Sequence, residues 1–189
     1  MSSSELFPKV SVLVPCYNVE KFIGECLDSL CKQTLSDIHI VCIDDGSTDN
    51  TLSIIRSFAE KDNRIEVITK SNSGYGDSMN IGLSHCRGEY IGIVESDDFV
   101  DASMYEELYS VAKKDYLGIA RSGYYVYKNG KDVLERRSQQ IPKNCILKPL
   151  EVTPIFFRTP AIWSAIYRKS WLKENNIQFL PTPGASFQD

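Results

Sequence analysis

The sequence predicts a single α/β domain on a mainly parallel sheet, and two observations carry that expectation. Short, nearly continuous apolar runs recur at Val10–Val14, Ile38–Ile43, Ile65–Ile68 and Tyr90–Val94, the pattern of strands buried on both faces. Each run is followed by apolar residues at helical spacing, and four strand-then-helix units in a row build a parallel sheet with right-handed crossovers. With 189 residues, 42% apolar and 11% aromatic, the chain suffices for one core, and disordered, collagen-like and coiled-coil classes are excluded.

The elements follow in order. After the first strand, Phe22, Cys26 and Leu30 lie beside Ile23, Leu27 and Cys31 on one stripe, predicting a helix from about Glu20 to Lys32. The second strand runs into Asp44-Asp45-Gly46-Ser47-Thr48-Asp49, a turn rich in capping groups, ahead of a helix with Leu52, Ile55 and Phe58 inward. The third strand leads through Ser71-Asn72-Ser73-Gly74-Tyr75-Gly76 to a helix carrying Met79, Leu83 and Cys86. The fourth ends in Glu95-Ser96-Asp97-Asp98, after which Asp101 caps a helix through Met104, Leu108 and Ala112. Past about Leu117 the pattern turns antiparallel. Lys128-Asn129-Gly130-Lys131 reads as a hairpin turn within Tyr124–Leu134, Ala161–Tyr167 as a strand, Lys169–Glu174 as a short helix, and Pro181, Pro183 and Gly184 as a loop. Residues 1–7 form a tail and 8–189 one domain.

Lys and Arg number 21 against 25 Asp and Glu, a net charge of -4, so the basic excess a nucleic-acid binder needs is missing. No apolar run approaches the ~20 residues that span a bilayer, and no signal peptide precedes Pro8, so a soluble cytoplasmic chain is expected. Cys16, Cys26, Cys31, Cys42, Cys86 and Cys145 make no CxxC pair and are expected to be reduced core thiols.

Ligands of open parallel sheets bind beyond the carboxyl ends of the strands, and here those ends are acidic: Asp44 and Asp45, then Glu95, Asp97 and Asp98. Such crowding raises carboxylate pKa values unless a cation relieves it, and Mg²⁺ or Mn²⁺ bound together with a nucleoside diphosphate is the economical answer. Helix capping accounts for one acid per turn, not for Glu95, Asp97 and Asp98 together. Gly74-Tyr75-Gly76 lacks a third glycine at fingerprint spacing and no GxxxxGK[ST] occurs, which excludes a Rossmann cofactor site and a P-loop; a loop near the ligand and a plain strand-to-helix turn both fit it. His39 and His85 read as isolated, structural residues. Aromatics such as Trp163, Tyr167 and Trp171 commonly pack in a core, and Trp163 alone is retained as an acceptor-side candidate for stacking on a sugar.

Val10-Ser11-Val12-Leu13-Val14-Pro15-Cys16-Tyr17-Asn18, Cys31-Lys32-Gln33-Thr34, Asp44-Asp45-Gly46-Ser47-Thr48-Asp49 and Glu95-Ser96-Asp97-Asp98, in this order, resemble the family 2 glycosyltransferases of the GT-A fold. Ser186-Phe187-Gln188-Asp189 is similar to the family's late [EQ]D motif. The resemblance implies an inverting, metal-dependent transfer of sugar from a nucleotide-diphospho-sugar, with UDP-sugar expected, to a glycan or lipid-linked acceptor in polysaccharide biosynthesis. It divides the domain into a nucleotide-binding half, about 8–115, and an acceptor half, about 116–189. Pro15 and Tyr17 would border the nucleobase, Asp45 would accept a hydrogen bond from it, and Asp97, with Asp98 and Glu95 beside it, would hold a divalent Mn²⁺ or Mg²⁺. Asp189 would be the catalytic base.

Two departures stand out. Glu95 occupies the first DxD position, and its extra methylene moves the carboxylate outward, toward a water-mediated role. The chain also stops at Asp189, where family members continue, so it reads as a truncated piece that binds nucleotide and transfers sugar poorly. Similar proteins work at the inner face of a bacterial plasma membrane, which leaves peripheral membrane attachment open. Two further readings compete: a catalytically inactive sugar-nucleotide-binding relative, to which Glu95 lends weight, and a receiver-type signalling module, suggested by Asp44-Asp45 but opposed by the complete strand-helix unit ahead of them.

Overall fold

A computed structural model describes residues 7–128, 131–134, 144–148 and 161–181. The four strand-helix units form as read: β1 (Val10–Cys16), α1 (Ile23–Cys31), β2 (Ile38–Asp44), α2 (Thr51–Ala59), β3 (Ile65–Thr69), α3 (Tyr75–His85), β4 (Tyr90–Ile93) and α4 (Met104–Lys114). β5 (Ile119–Arg121), a hairpin of β6 (Tyr125–Lys128) and β7 (Lys131–Leu134), β8 (Ala165–Arg168) and α5 (Lys169–Glu174) follow. The hairpin pairs Lys128 with Lys131, as a two-residue Asn-Gly loop requires, although Asn129 and Gly130 lie outside the described residues.

One six-stranded sheet runs β3-β2-β1-β4-β8-β5, parallel through β3, β2, β1 and β4, and antiparallel where β8 joins β4 and β5. The order reverses between β1 and β4, which opens a crevice at their carboxyl ends. Pro15 sits in a central strand without breaking the ladder. Odd-numbered residues of β1 face β4, whose last bond to β1 runs from Val94 N–H to the Leu13 carbonyl, so the N–H that Pro15 lacks falls beyond the paired region.

The period of two along β1 and β2 builds two cores. Val10, Val12, Val14, Ile38, Ile40 and Cys42 meet Ile23, Leu27 and Leu30 of α1, Ile55 of α2, and Tyr105 and Leu108 of α4. On the other face Leu13, Val41, Ile43, Ile91 and Ile93 meet Met79 of α3, with Tyr75, Leu172 and Phe179 packed alongside. Each such buried aliphatic stabilises the fold by roughly 1.5–3 kcal/mol. Gly82 lets α3 sit close to this sheet face, since a Cβ there would lie 2.1 Å from the Leu13 side chain.

Four expectations are corrected. α1 begins at Ile23, not Glu20, because Val19 and Glu20 give their N–H groups to the loop after β2. The expected strand from Ala161 starts as a 3₁₀ turn, Ile162–Ser164, and extends only from Ala165. All six cysteines are free thiols, but Cys145 is exposed and Cys31 half-buried, so they are not all core. His39 and His85 are not isolated either. Both rings bond Glu66, at 3.0 and 2.8 Å, and the Ser11 hydroxyl pairs with the other nitrogen of His39 at 3.1 Å.

Candidate active site

The crevice is bounded by four loops, after β1, β2, β3 and β4, whose geometry follows from local chemistry. The loop after β1 presents Tyr17, 49% exposed, and then Asn18 with φ 53°, a conformation that Asn tolerates better than most residues. That loop is stitched to the one after β2. Asn18 N–H donates to Ser47 Oγ at 3.0 Å, Thr48 N–H to Asn18 Oδ1 at 2.8 Å, Val19 N–H to Thr51 Oγ1 at 2.8 Å, and Asn50 N–H to Glu20 Oε2 at 3.0 Å. Asp49, read as a cap, does both jobs: Oδ1 accepts Thr51 N–H at 2.9 Å and Oδ2 accepts Glu20 N–H at 3.1 Å.

Asp45, only 5% exposed, organises the third loop. Oδ1 accepts Ser73 N–H and Oδ2 accepts Gly74 N–H, each at 2.9 Å, and the Lys70 ammonium pairs with Oδ1. Gly74 has φ 96°, which a side chain would strain, and this residue turns the chain into α3. Lys70 also reaches Ser73, Ser78 and Asp77. The Ser73 hydroxyl, and then Lys70, hold the Asp77 carboxyl below the usual carboxylate range. The cation beside Asp45 is therefore an internal lysine rather than the divalent metal expected for the whole acidic edge. Gly46, φ 72°, must pass close to the loop after β3, since a Cβ there would lie 2.9 Å from Asn72 N.

Glu95-Ser96-Asp97-Asp98 turns back after β4, closed by Asp98 N–H on the Glu95 carbonyl at 3.0 Å. One face of α1 and the residues after it hold this turn from behind: Cys26 Sγ bonds the Glu95 carbonyl, Ser29 Oγ accepts Val100 N–H, and Gln33 Nε2 donates to the Asp101 carbonyl at 2.7 Å. Gln33 Oε1 also accepts Tyr105 N–H, at 3.2 Å. Asp97 and Asp98 are exposed in this turn. Desolvation, and then the charge of Asp97, push the Asp98 carboxyl above the usual carboxylate range, the state that a cation relieves. Among the described residues no three His, Cys, Asp or Glu side chains gather into a metal cage. One or two carboxylates completed by water and phosphate oxygens is the manner in which Mg²⁺ binds, and Asp97 with Asp98 fit that demand. Glu95 is drawn elsewhere: the Tyr75 hydroxyl donates to its Oε1 at 2.6 Å.

The fold thus brings Tyr17, Asp45, Glu95, Asp97 and Asp98 to one end of the sheet, with Pro15 buried inside β1 just below. Trp163 lies in the 3₁₀ turn that enters β8, whose antiparallel pairing sets it beside the carboxyl end of β4; it is half-buried, its ring edge-on to Tyr124 with centroids 6.2 Å apart. Asp189 and the rest of its motif lie outside the described residues. Sequence reasoning missed Lys70 and Tyr75. Lys70 was signalled by its place one residue past β3, and Tyr75 by its position at the start of the helix that spans the site.

Comparison with known proteins decides the family. The model for glycosyl transferase family 2 matches residues 11–175. The chain belongs to that family. It is similar to the uncharacterized glycosyltransferase EpsJ of Bacillus subtilis, 36% identical over 180 residues that cover 92% of this chain and 52% of EpsJ. It is also similar to the poly(ribitol-phosphate) beta-glucosyltransferase of Bacillus spizizenii, 33% identical over 90% of this chain and 27% of that enzyme. Among solved structures, S. aureus TarS 1-349 superposes with TM-score 0.80 at 30% identity, over 94% of this chain and 52% of TarS. Its complex with UDP-GlcNAc superposes at 0.78, over 91% of this chain and 48% of TarS. The family 2 chain described here spans about half the length of EpsJ and of TarS 1-349. Its GT-A-type sheet order, with β1 between β2 and β4, matches the mixed α/β architecture expected from sequence.

Proposed function

We propose that this family 2 domain binds a nucleotide-diphospho-sugar, a UDP-sugar first among them, in the crevice between β1 and β4 and transfers the sugar to a glycan or lipid-linked acceptor with inversion. The observation that carries the reading is the placing of Asp45 and of Asp97 with Asp98 at adjacent carboxyl ends of one parallel sheet, at its switch point. The UDP-GlcNAc complex of TarS supports it, because that neighbour shares the fold over most of this chain.

In this reading Tyr17 and Pro15 border the base, and Asp45 faces it while holding the Ser73-Gly74 turn in shape. Asp97 and Asp98 would hold Mn²⁺ or Mg²⁺, which offsets charge on the diphosphate leaving group. Asp189 takes the proton from the acceptor hydroxyl, whose oxygen attacks the anomeric carbon as the bond to the diphosphate breaks. Trp163 is the acceptor-side aromatic. The name of the poly(ribitol-phosphate) beta-glucosyltransferase supports a phosphate-containing polymer as acceptor, and in this proposal the domain works at the cytoplasmic face of the plasma membrane. Among the described residues no helix is long and apolar enough to cross a membrane.

Calorimetric titration with UDP, GDP and dTDP, each with and without Mn²⁺, tests the donor site. UDP should bind with metal, and Asp97→Asn should lose that metal-dependent part. Binding left intact by Asp97→Asn, or no nucleotide binding at all, contradicts the reading.

A further inference from the structure

Tyr75 stands where three parts of the molecule meet. Its hydroxyl donates to Glu95 Oε1 at 2.6 Å, the length of a bond to an ionised carboxylate. The N–H of Gly74, the preceding residue, goes to Asp45 Oδ2 at 2.9 Å. The Tyr75 ring meets Phe179 edge-on, with centroids 6.3 Å apart at 77°. Phe179 is fixed separately, since the Asn80 side chain donates to its carbonyl at 2.8 Å and accepts its N–H at 2.9 Å. The first turns of α3 therefore touch the Asp45 end of the crevice, the Glu95 turn and the chain running toward residues 182–189.

Glu95 has one more rotatable bond than the aspartate its position resembles, and a hydrogen bond from a rigid phenol removes that freedom. We propose that Tyr75 is a positioning residue: its hydroxyl holds the Glu95 carboxylate on the α3 side of the turn, so that Glu95 shapes the diphosphate end of the donor site while Asp97 and Asp98 take the cation. This rests on the donor-site reading above. Phe179 and the backbone of Gly74 keep the Tyr75 ring in place whether or not the hydroxyl is present, which separates positioning from folding.

The test is UDP titration, with Mn²⁺ and with chelator, on wild type, Tyr75→Phe, Glu95→Asp and the double variant. Tyr75→Phe keeps the ring against Phe179, and Glu95→Asp shortens the carboxylate out of reach of the phenol. Each single variant should weaken the Mn²⁺-dependent affinity about tenfold, the scale of one lost charged hydrogen bond, and leave binding in chelator unchanged. The double variant should be no weaker than either single, because both remove the same contact. Wild-type affinity in Tyr75→Phe, an equal loss with and without metal, or fully additive losses overturns the positioning role. Wild type that binds no UDP overturns the donor-site reading itself, and with it the role of Tyr75.

Discussion

Asp45 holds the loop after β3 in shape at the place where we propose the donor site. Its carboxylate accepts two backbone N–H groups and faces a Lys70 ammonium whose side chain is only 13% exposed. Asp45→Ala leaves both backbone donors unmatched and Lys70 with Asp77 as its remaining carboxylate, and should cost about 2–3 kcal/mol, read as a lower midpoint in chemical denaturation. Asp45→Asn keeps one acceptor and should recover part of that loss. His39, at the opposite end of β2, carries the pH dependence. Desolvation first, and then the Arg87 charge, hold its pKa below the ordinary value despite the Glu66 carboxylate. The unfolded chain thus takes up this proton at a higher pH than the folded one, near 6.5. Stability attached to neutral His39 is full above that pH and is lost as pH falls through 6.5 toward the lower folded value. Thermal melts from pH 7.5 to 5.5 should show this decline, and His39→Gln should flatten it; an equal slope in the variant contradicts the assignment. The place of Asp45 at the carboxyl end of the sheet was legible because it directly follows a strand. Its lysine partner was not, because Asp45 and Lys70 are joined only once β2 and β3 pair and the Ser73-Gly74 turn folds back.

At the scale of elements, α1 does more than cover the sheet. Cys26 and Ser29 on its inner face, with Gln33 just past its end, line up polar atoms against the Glu95–Asp101 segment, so the position of Asp97 is set by a helix far from it in sequence. Gln33→Leu strands the Tyr105 N–H and removes one of two donors to the Asp101 carbonyl, which keeps the Met104 N–H, and should cost about 1–2 kcal/mol. Hydrogen exchange should speed up at Tyr105 and its neighbours while β1 amides stay protected; uniform protection would deny this coupling. The four strand-helix units were legible because buried parallel strands leave unbroken apolar runs and their helices a clean stripe. The start of α1 was not, because Glu20 suits a helix by composition yet gives its N–H across to Asp49. Ile162–Ser164 looks β-like for the same reason: apolar composition fits either geometry, and the Ser164 N–H on the Ala161 carbonyl selects the tight turn.

For the whole molecule, the sheet has two chemically distinct ends. The carboxyl end gathers Asp45, Glu95, Asp97 and Asp98 around the switch point between β1 and β4. At the amino end, a cavity of about 370 Å³ is lined by Gly88, Glu89, Tyr116, Arg168, Lys169, Ser170 and Lys173, so a free anion has an electrostatic alternative there. The central claim is that a nucleoside diphosphate chooses the acidic end, where a divalent cation reverses the local charge. Amide chemical-shift mapping with UDP and diamagnetic Mg²⁺ separates the two directly. Shifts should concentrate at Tyr17, Asn18, Gly46, Ser73, Gly74, Asp97 and Asp98, and should shrink when Mg²⁺ is withdrawn. Shifts centred on Gly88, Glu89, Ser170 and Lys173, indifferent to Mg²⁺, would contradict it.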